Sequence, residues 1–278
     1  VNYIELALPR PLDEEQAEIM IAFLADFGFE GFAENNNFIL AYIPEKDFDK
    51  ERLLTFADKM PFFKKKDFSI KRIAGRNWNK EWESNYPAVW IAGRCYVRAP
   101  FHVPQPKAEY DILIKPGMAF GTAHHETTSL MVEKLLDMDV KGKSVLDMGC
   151  GTGVLAILTF KKGAGKIVAV DNDEWAYNNV IENAGLNEVS SMDIRLGDVT
   201  ALKPDDRFDI ILANINKNIL LRDMASYIET LAPQGRILFS GFYEKDLKDI
   251  RETAEKCGLV FVDKKVKNQW VVTGFSKQ

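Results

Sequence analysis

The sequence predicts a doubly wound, Rossmann-like α/β sheet that follows a smaller ferredoxin-like α+β domain. Three observations predict it. The stretch 144–153, SVLDMGCGTG, runs from the apolar pair Val145 and Leu146 through Asp147 and three alternate glycines into the helix start Val154-Leu155-Ala156-Ile157-Leu158. Strand, glycine turn and helix in that order begin a βαβ unit. From there strand-like and helix-like stretches alternate and close on two consecutive strands, which suits a mostly parallel sheet with one reversed edge strand. The first 73 residues read instead as βαββαβ, the ferredoxin-like order. The expected organisation is a ferredoxin-like domain over 1–73, a helical linker over 74–87 and the larger α/β domain over 88–278.

Residues 3–8 alternate as a short strand. Asp13-Glu14-Glu15-Gln16 resembles a capping box, and Ala17, Met20, Ile21, Leu24 and Phe27 then fall on one helical face before Gly28. A strand over 31–34, the turn Asn35-Asn36-Asn37 and a strand over 38–43 read as a hairpin. Asp47 is a candidate cap for a second helix carrying Leu53, Leu54, Phe56 and Ala57; residues 67–73 form the last strand. This segment contains no phosphate loop, metal cluster or catalytic set, so it reads as a binding or scaffold domain. Lys64-Lys65-Lys66 with Lys71-Arg72 is its basic concentration, which reads as a solvated strand end, with a patch that helps dock a partner near RNA as the alternative.

In the linker, Trp78, Trp82 and Tyr86 recur every four residues and share one helical stripe, which Pro87 ends. Residues 89–98 and 110–114 alternate as strands, with a hairpin at the domain edge expected. The stretch 115–128, KPGMAFGTAHHETT, is dense in glycines, hydroxyls and histidines and leads into a helix over 127–136. His124 and His125 are adjacent, so on an extended chain they point opposite ways. No third ligand stands at suitable spacing. The loop is expected to shape a pocket beside the glycine turn and to hold no metal.

The glycine turn suits two ligand classes. Dinucleotide binding wants G-x-G-x-x-G; here the spacing is G-x-G-x-G at Gly149, Gly151 and Gly153, and Val154 occupies the position of the third dinucleotide glycine. Glycine lets the backbone turn tightly and a ligand approach, and N–H groups at the helix start are expected to face that ligand. Asp147 before the turn suits an ammonium and would repel a pyrophosphate. The strand 166–171, KIVAVD, ends on Asp171, about 20 residues past the glycines, where an acid binds ribose hydroxyls. Ammonium at one end and ribose at the other describe S-adenosylmethionine. Helix 174–184, capped by Asn172 or Asp173, leads to a strand over 192–196 and to Asp198, placed either to touch the adenine amino group or as a surface-turn residue. A buried strand over 208–213 ends on Asn214. A helix over 219–231, a strand over 236–240, a helix over 243–257 and strands over 259–266 and 270–275 follow. Gly149, Asp171, Asp198 and Asn214 all fall at carboxyl ends of strands, where such sheets bind ligands.

Methyl transfer from a sulfonium is an in-line displacement, for which positioning supplies much of the rate. An amine nucleophile must also be neutral; free lysine, with a pKa of about 10.4, is neutral in about one molecule in a thousand near pH 7.4. Asn214 offers a side-chain carbonyl at the mouth of its strand to accept the amine's N–H. It is the catalytic candidate, with a helix N-cap as the alternative role.

Composition bounds the remaining classes. The chain has 278 residues, 46% apolar and 28% charged, as in ordinary globular proteins. No apolar run approaches the roughly 18 residues of a membrane span, and no early run resembles a signal peptide. Cys95, Cys150 and Cys257 are scattered and odd in number, so neither a disulfide framework nor a metal pattern is expected. A cytoplasmic location fits. The formal net charge of −5 argues against a general nucleic-acid binder.

Read together, the motifs resemble the ribosomal protein L-eleven methyltransferase family. The resemblance rests on PGMAFGTAHHETT at 116–128, VLDMGCGTGVLAI at 145–157, VDND at 170–173, LANI at 212–215 and the linker NWNKEWE at 77–83. It covers both domains and the linker, and the 116–128 stretch is its most specific part. It implies cofactor contacts at Thr128, Gly149, Asp171 and Asn214, with Gly151 in the same glycine motif. It further implies S-adenosylmethionine-dependent methylation of lysine side chains and the N-terminal amine of ribosomal protein L-eleven, free or on the large subunit, with the first domain recognising substrate. This chain has Ala123 where the family loop usually has glycine, and Asn216 where Asn-Ile-Leu is usual. An RNA or small-molecule methyltransferase is the alternative. The Asn-Pro-Pro-aromatic motif of nucleobase methyltransferases is missing, Val154 speaks against a nicotinamide oxidoreductase, and the intact turn with Asn214 speaks against an inactive scaffold.

Overall fold

The computed structural model describes residues 2–10, 14–34, 37–57, 68–73, 86–116 and 119–278. The expected linker helix with Trp78 and Trp82, the cap Asp13, most of the asparagine turn, the Lys64–Lys66 run and Gly117 lie outside the described residues. The chain divides into two compact units, Val1–Tyr86 and Pro87–Gln278.

In the first unit, β1 (Tyr3–Pro9), α1 (Glu14–Phe27), β2 (Gly31–Glu34), β3 (Phe38–Pro44), α2 (Lys50–Ala57) and β4 (Ser69–Ile73) follow in order. The sheet order is β2-β3-β1-β4 with every pairing antiparallel, which is ferredoxin-like. Alternation decides which face is buried. Ile4, Leu6 and Leu8 of β1 and Ile39, Ala41 and Ile43 of β3 point to one side, where Met20, Leu24 and Phe27 of α1 and Leu53 of α2 cover them. Each of these side chains other than Ala41 contributes roughly 1.5–3 kcal/mol on burial. Asp49, not Asp47, caps α2: its Oδ1 accepts the N–H groups of Glu51 (2.9 Å) and Arg52 (3.0 Å). Asp47 instead ends a single 3-10 turn.

The second unit opens with a three-stranded sheet of β5 (Val89–Ile91), β6 (Cys95–Arg98) and β7 (Tyr110–Leu113). β5 and β6 form a tight hairpin around Ala92 and Gly93, both at positive φ, so 89–98 is two strands, not one. β6 and β7 pair in parallel, against the expected hairpin. The connection between them is long enough to carry the chain back before it re-enters the sheet.

The main sheet holds β8 (Ser144–Met148), β9 (Lys166–Asp171), β10 (Asp193–Leu196), β11 (Phe208–Asn214), β12 (Leu231–Tyr243), β13 (Leu259–Lys267) and β14 (Trp270–Lys277) in the order β10-β9-β8-β11-β12-β14-β13. Helices α3 (Glu126–Asp137), α4 (Val154–Lys161), α5 (Glu174–Leu186), α6 (Lys217–Thr230) and α7 (Leu247–Lys256) accompany it. Consecutive residues serve opposite faces: Val145 packs with Leu130, Leu135 and Leu155, whereas Leu146 packs with Val168, Ile211, Leu220 and Phe239. The reversed strand is not at the edge. β14 runs antiparallel to both β12 and β13 and lies between them. The crossover through α7 sets β13 two places beyond β12, leaving a gap one strand wide. The two-residue turn Asn268-Gln269, at φ 48° and 68°, then folds β14 back into the gap. The order reverses between β8 and β11, so a crevice opens at their carboxyl ends.

Candidate functional site

The carboxyl ends of β8, β9 and β11 border an open cavity of about 390 Å³, within the range of small-molecule sites. Gly149, Gly151, Asp171 and Asn214 all line it, so the structure brings four of the residues singled out in the sequence to one place.

The glycine turn behaves differently from expectation. Gly149, Gly151 and Gly153 have φ of 70°, 53° and 78°, which L side chains rarely adopt. What approaches them is the protein itself. A Cβ on Gly149 would overlap Ile215 Cγ2, and one on Gly151 would overlap the Phe120 carbonyl. The turn thereby seats the segment after β11 and the loop before α3 against the cavity. Its N–H groups are also engaged internally. Those of Gly149 and Cys150 donate to Val170 O, that of Gly151 to Asp171 Oδ2 (2.8 Å), and that of Thr152 to Phe120 O (2.9 Å).

Asp147 turns away from the cavity. It is 1% exposed and its Oδ2 accepts the Ala156 N–H at 3.1 Å in the first turn of α4. Its Oδ1 has no hydrogen-bond partner. Burial pushes its carboxyl up to about 7; the Ala156 N–H opposes the shift and the Asp171 charge adds to it. A carboxylate that points at the helix start inside the core does not reach a ligand's ammonium.

Asp171 closes β9. Its Oδ2 takes the Gly151 N–H and its Oδ1 takes the Asp173 N–H at 3.0 Å. Each oxygen keeps a further lone pair. Asp173 caps α5 through Trp175 N (2.8 Å). Asp198 is not brought to the cavity: it is exposed, and its Oδ1 accepts from Thr200 N (2.9 Å) and Thr200 Oγ1 (2.8 Å). It caps a short 3-10 turn, the surface-turn alternative.

Asn214 closes β11 and is not the helix cap. That role belongs to Asn216, whose Oδ1 accepts the Ile219 N–H at 3.1 Å. The residue that departs from the usual Asn-Ile-Leu therefore starts α6 and leaves Asn214 for other work. Asn214 Nδ2 donates to Thr128 Oγ1 at 3.3 Å. Its Oδ1 is buried with no partner in the protein, which costs roughly 1–3 kcal/mol. Thr128 is itself 1% exposed and sits behind Asn214; its neighbour Thr127 lines the cavity.

The loop before α3 supplies the opposite wall. Ala123, where glycine is usual, adopts φ 69° and is fully buried. The histidines hold the loop together. His124 Nδ1 meets Thr122 Oγ1 (3.0 Å) and its Nε2 meets Pro87 O (2.9 Å). His125 caps α3, with Nδ1 accepting the Thr127 N–H at 3.2 Å. The 115–128 loop lines the cavity through Ala119, Phe120, His125 and Thr127, as its sequence leads one to expect, whereas sequence reasoning did not find Ile215, Gly241 or Trp270 as cavity residues. Motif spacing carries no signal for them because tertiary packing delivers them.

A family model described as ribosomal protein L11 methyltransferase (PrmA) matches residues 14–278. The chain is 43% identical over 278 residues to a ribosomal protein L11 methyltransferase of Phocaeicola vulgatus, covering 99% of each chain. It is 35% identical to one of Chlorobaculum tepidum, covering 97% of this chain and 95% of that one. A crystal structure of ribosomal protein L11 methylase from Lactobacillus delbrueckii subsp. bulgaricus superposes with a TM-score of 0.65 at 28% identity, over 69% of this chain and all of that one. The strand order, the crevice with its glycine turn, and these matches together place the chain in the ribosomal protein L11 methyltransferase family.

Proposed function

We propose that the chain moves methyl groups from S-adenosylmethionine to amino groups of ribosomal protein L11, at lysine side chains and the N-terminal amine. The observation that carries this reading is Asn214 Oδ1, a buried acceptor without a partner at the mouth of the cavity. Buried acceptors are almost always satisfied, and a substrate N–H would satisfy this one. The cavity's size and the Asp171 carboxylate fit S-adenosylmethionine. That cofactor, when bound, supplies a methyl group made electrophilic by a sulfonium.

The chain's own residues do the rest. Asp171 offers its remaining lone pairs to ribose hydroxyls. Gly149 and Gly151 border the cofactor with bare backbone. Thr128 is a positioning residue: by accepting from Asn214 Nδ2 it fixes the orientation of the amide and leaves Oδ1 as its remaining acceptor. Asn214 Oδ1 then accepts an amine N–H and aims the lone pair. Removal from bulk water favours the neutral amine. The first unit, whose described residues carry no part of this cavity, is the substrate-recognition module. No helix among the described residues is long and apolar enough to cross a membrane, and a cytoplasmic location suits a ribosomal substrate.

The test is incubation of the enzyme with isotope-labelled S-adenosylmethionine and purified ribosomal subunits, followed by mass spectrometry of each component. Label on L11 lysines and its N-terminal amine is expected. Label confined to RNA or to another protein would overturn the assignment.

A further inference from the structure

Thr152 lies fully buried in the glycine turn and takes no part in the chemistry above. Each polar group it carries is engaged. Its N–H donates to Phe120 O at 2.9 Å and its Oγ1 donates to Gly121 O at 2.7 Å, while its own carbonyl accepts from Asn183 Nδ2 at 2.9 Å. Two of these bonds leave the turn for the tip of the loop before α3. That tip brings Ala119 and Phe120 to the cavity. The Phe120 ring is 53% exposed, so side-chain packing does little to fix the tip and the bonds from Thr152 do more.

Asn183 holds Thr152 from behind. It is fully buried in α5, one helical turn before Asn187. Its Oδ1 accepts the Lys115 N–H at 2.8 Å. Asn187 grips Leu113 on both sides, with Oδ1 on its N–H (3.0 Å) and Nδ2 on its carbonyl (2.6 Å). β7 is an edge of its sheet, and the two amides pair the backbone that a further strand would otherwise pair. The start of the loop at Lys115 and its tip at Phe120 and Gly121 are thus tied to one helix and one turn. The fit at the tip is close: a Cβ on Gly121, at φ 106°, would come within 3.0 Å of Thr152 Oγ1.

The turn itself does not need the hydroxyl. Valine has the same shape as threonine, and Gly121 is half-buried, so water can take the place of the hydroxyl at its carbonyl. What the Oγ1 bond adds is the placement of the loop. We infer that Thr152 is a positioning residue for the cofactor, whose hydroxyl, through Gly121 O, keeps the loop tip in place as a wall of the cavity. The inference rests on the methyltransferase reading. Asn214 and Thr128 stand on β11 and α3 and hold each other. The far end of the loop has its own anchors in the His125 cap and in Ser129 Oγ on Ala123 O at 2.9 Å. Loss of the Thr152 hydroxyl therefore weakens cofactor binding and spares the transfer step.

The experiment first titrates S-adenosylhomocysteine into the full-length wild type by calorimetry. No binding there would end the methyltransferase reading and this inference together; once binding is seen, the variants decide the inference alone. Thr152→Val should bind S-adenosylhomocysteine about tenfold more weakly and show a KM for S-adenosylmethionine raised by a similar factor. Its single-turnover transfer at saturating cofactor should stay within about twofold of wild type. Thr152→Ser keeps the hydroxyl and loses the buried methyl, and it should retain the affinity to within about twofold. A packing role alone predicts the reverse order, because serine leaves a methyl-sized void and valine leaves none. If Thr152→Val does not fold, Gly121→Ala, which sets a methyl against the same hydroxyl from a half-buried loop position, should show the same split between affinity and turnover. Wild-type affinity in the valine variant, or a serine variant that binds more weakly than the valine one, would overturn the proposal.

Discussion

Replacing Asp147 by Asn should change how stability depends on pH. Asp147 sits in the core against the start of α4 with one oxygen unpartnered, and its carboxyl is raised from an ordinary 3.8 to about 7. The unfolded chain releases this proton near pH 4 and the folded chain near pH 7. Between those values the folded state binds more protons, so stability falls as pH rises through that window and is flat above it. A shift from 3.8 to about 7 corresponds to roughly 4 kcal/mol lost by pH 8, at about 1.4 kcal/mol per unit. Asn has the same shape, keeps an acceptor for the Ala156 N–H, and has no proton to lose. The variant should therefore gain on the wild type by about 2–3 kcal/mol between pH 5 and pH 8. Urea unfolding of both proteins at the two pH values, read on the transition of the 87–278 unit, measures it. Because Asp147 does not line the cavity, S-adenosylmethionine affinity at pH 8 should stay within a few-fold of wild type. A stability difference that is the same at both pH values would show that the carboxylate is ionised throughout and that the reasoning from burial fails.

Gly151→Ala should destabilise by roughly 2–3 kcal/mol, from the positive φ together with the displaced Phe120 carbonyl and its bond from Thr152; urea unfolding and calorimetry would show lost stability and lost cofactor affinity together. Asp171→Ala should weaken S-adenosylmethionine binding by about 1–3 kcal/mol by calorimetry, and tight NADH binding with none of S-adenosylmethionine would remove the cofactor assignment. A fragment of residues 75–278 should bind S-adenosylmethionine yet fail to methylate ribosomal protein L11, because a protein substrate needs an interface well beyond one side chain. A fragment as active as the full chain would show that the first unit is not the recognition module.

Much of the fold is local in origin and was therefore legible. The step from Val145 through three glycines to Val154 reads as strand, turn and helix because each residue type suits one backbone region. The order in the first unit follows from periodicity alone. What sequence could not supply is set by distant partners. The direction of the β6–β7 pairing depends on a long connection, and the place of β14 inside the sheet depends on where α7 puts β13. Gly149 and Gly151 line the crevice, but the atoms that crowd them belong to Ile215 and Phe120. Asp147 and Asn214 are both polar residues near the turn. Only packing shows that one faces the core and the other the cavity, and only the cap at Asn216 removes the competing role for Asn214.

The central claim is that Asn214 Oδ1 is held without a partner in order to receive the substrate amine. Asn214→Ala tests it most directly, with folding stability and single-turnover methyl transfer at saturating S-adenosylmethionine measured on the same preparation. The substitution removes a buried unsatisfied acceptor, whose cost is about 1–3 kcal/mol, along with one neutral hydrogen bond worth about 1 kcal/mol. Stability should therefore change by no more than about 1–2 kcal/mol in either direction. Transfer should fall by about 100-fold or more, the effect of deleting one preorganised polar group at a reacting centre. A variant that is strongly destabilised yet transfers methyl groups at the wild-type rate would show that Asn214 is structural, contradicting the claim.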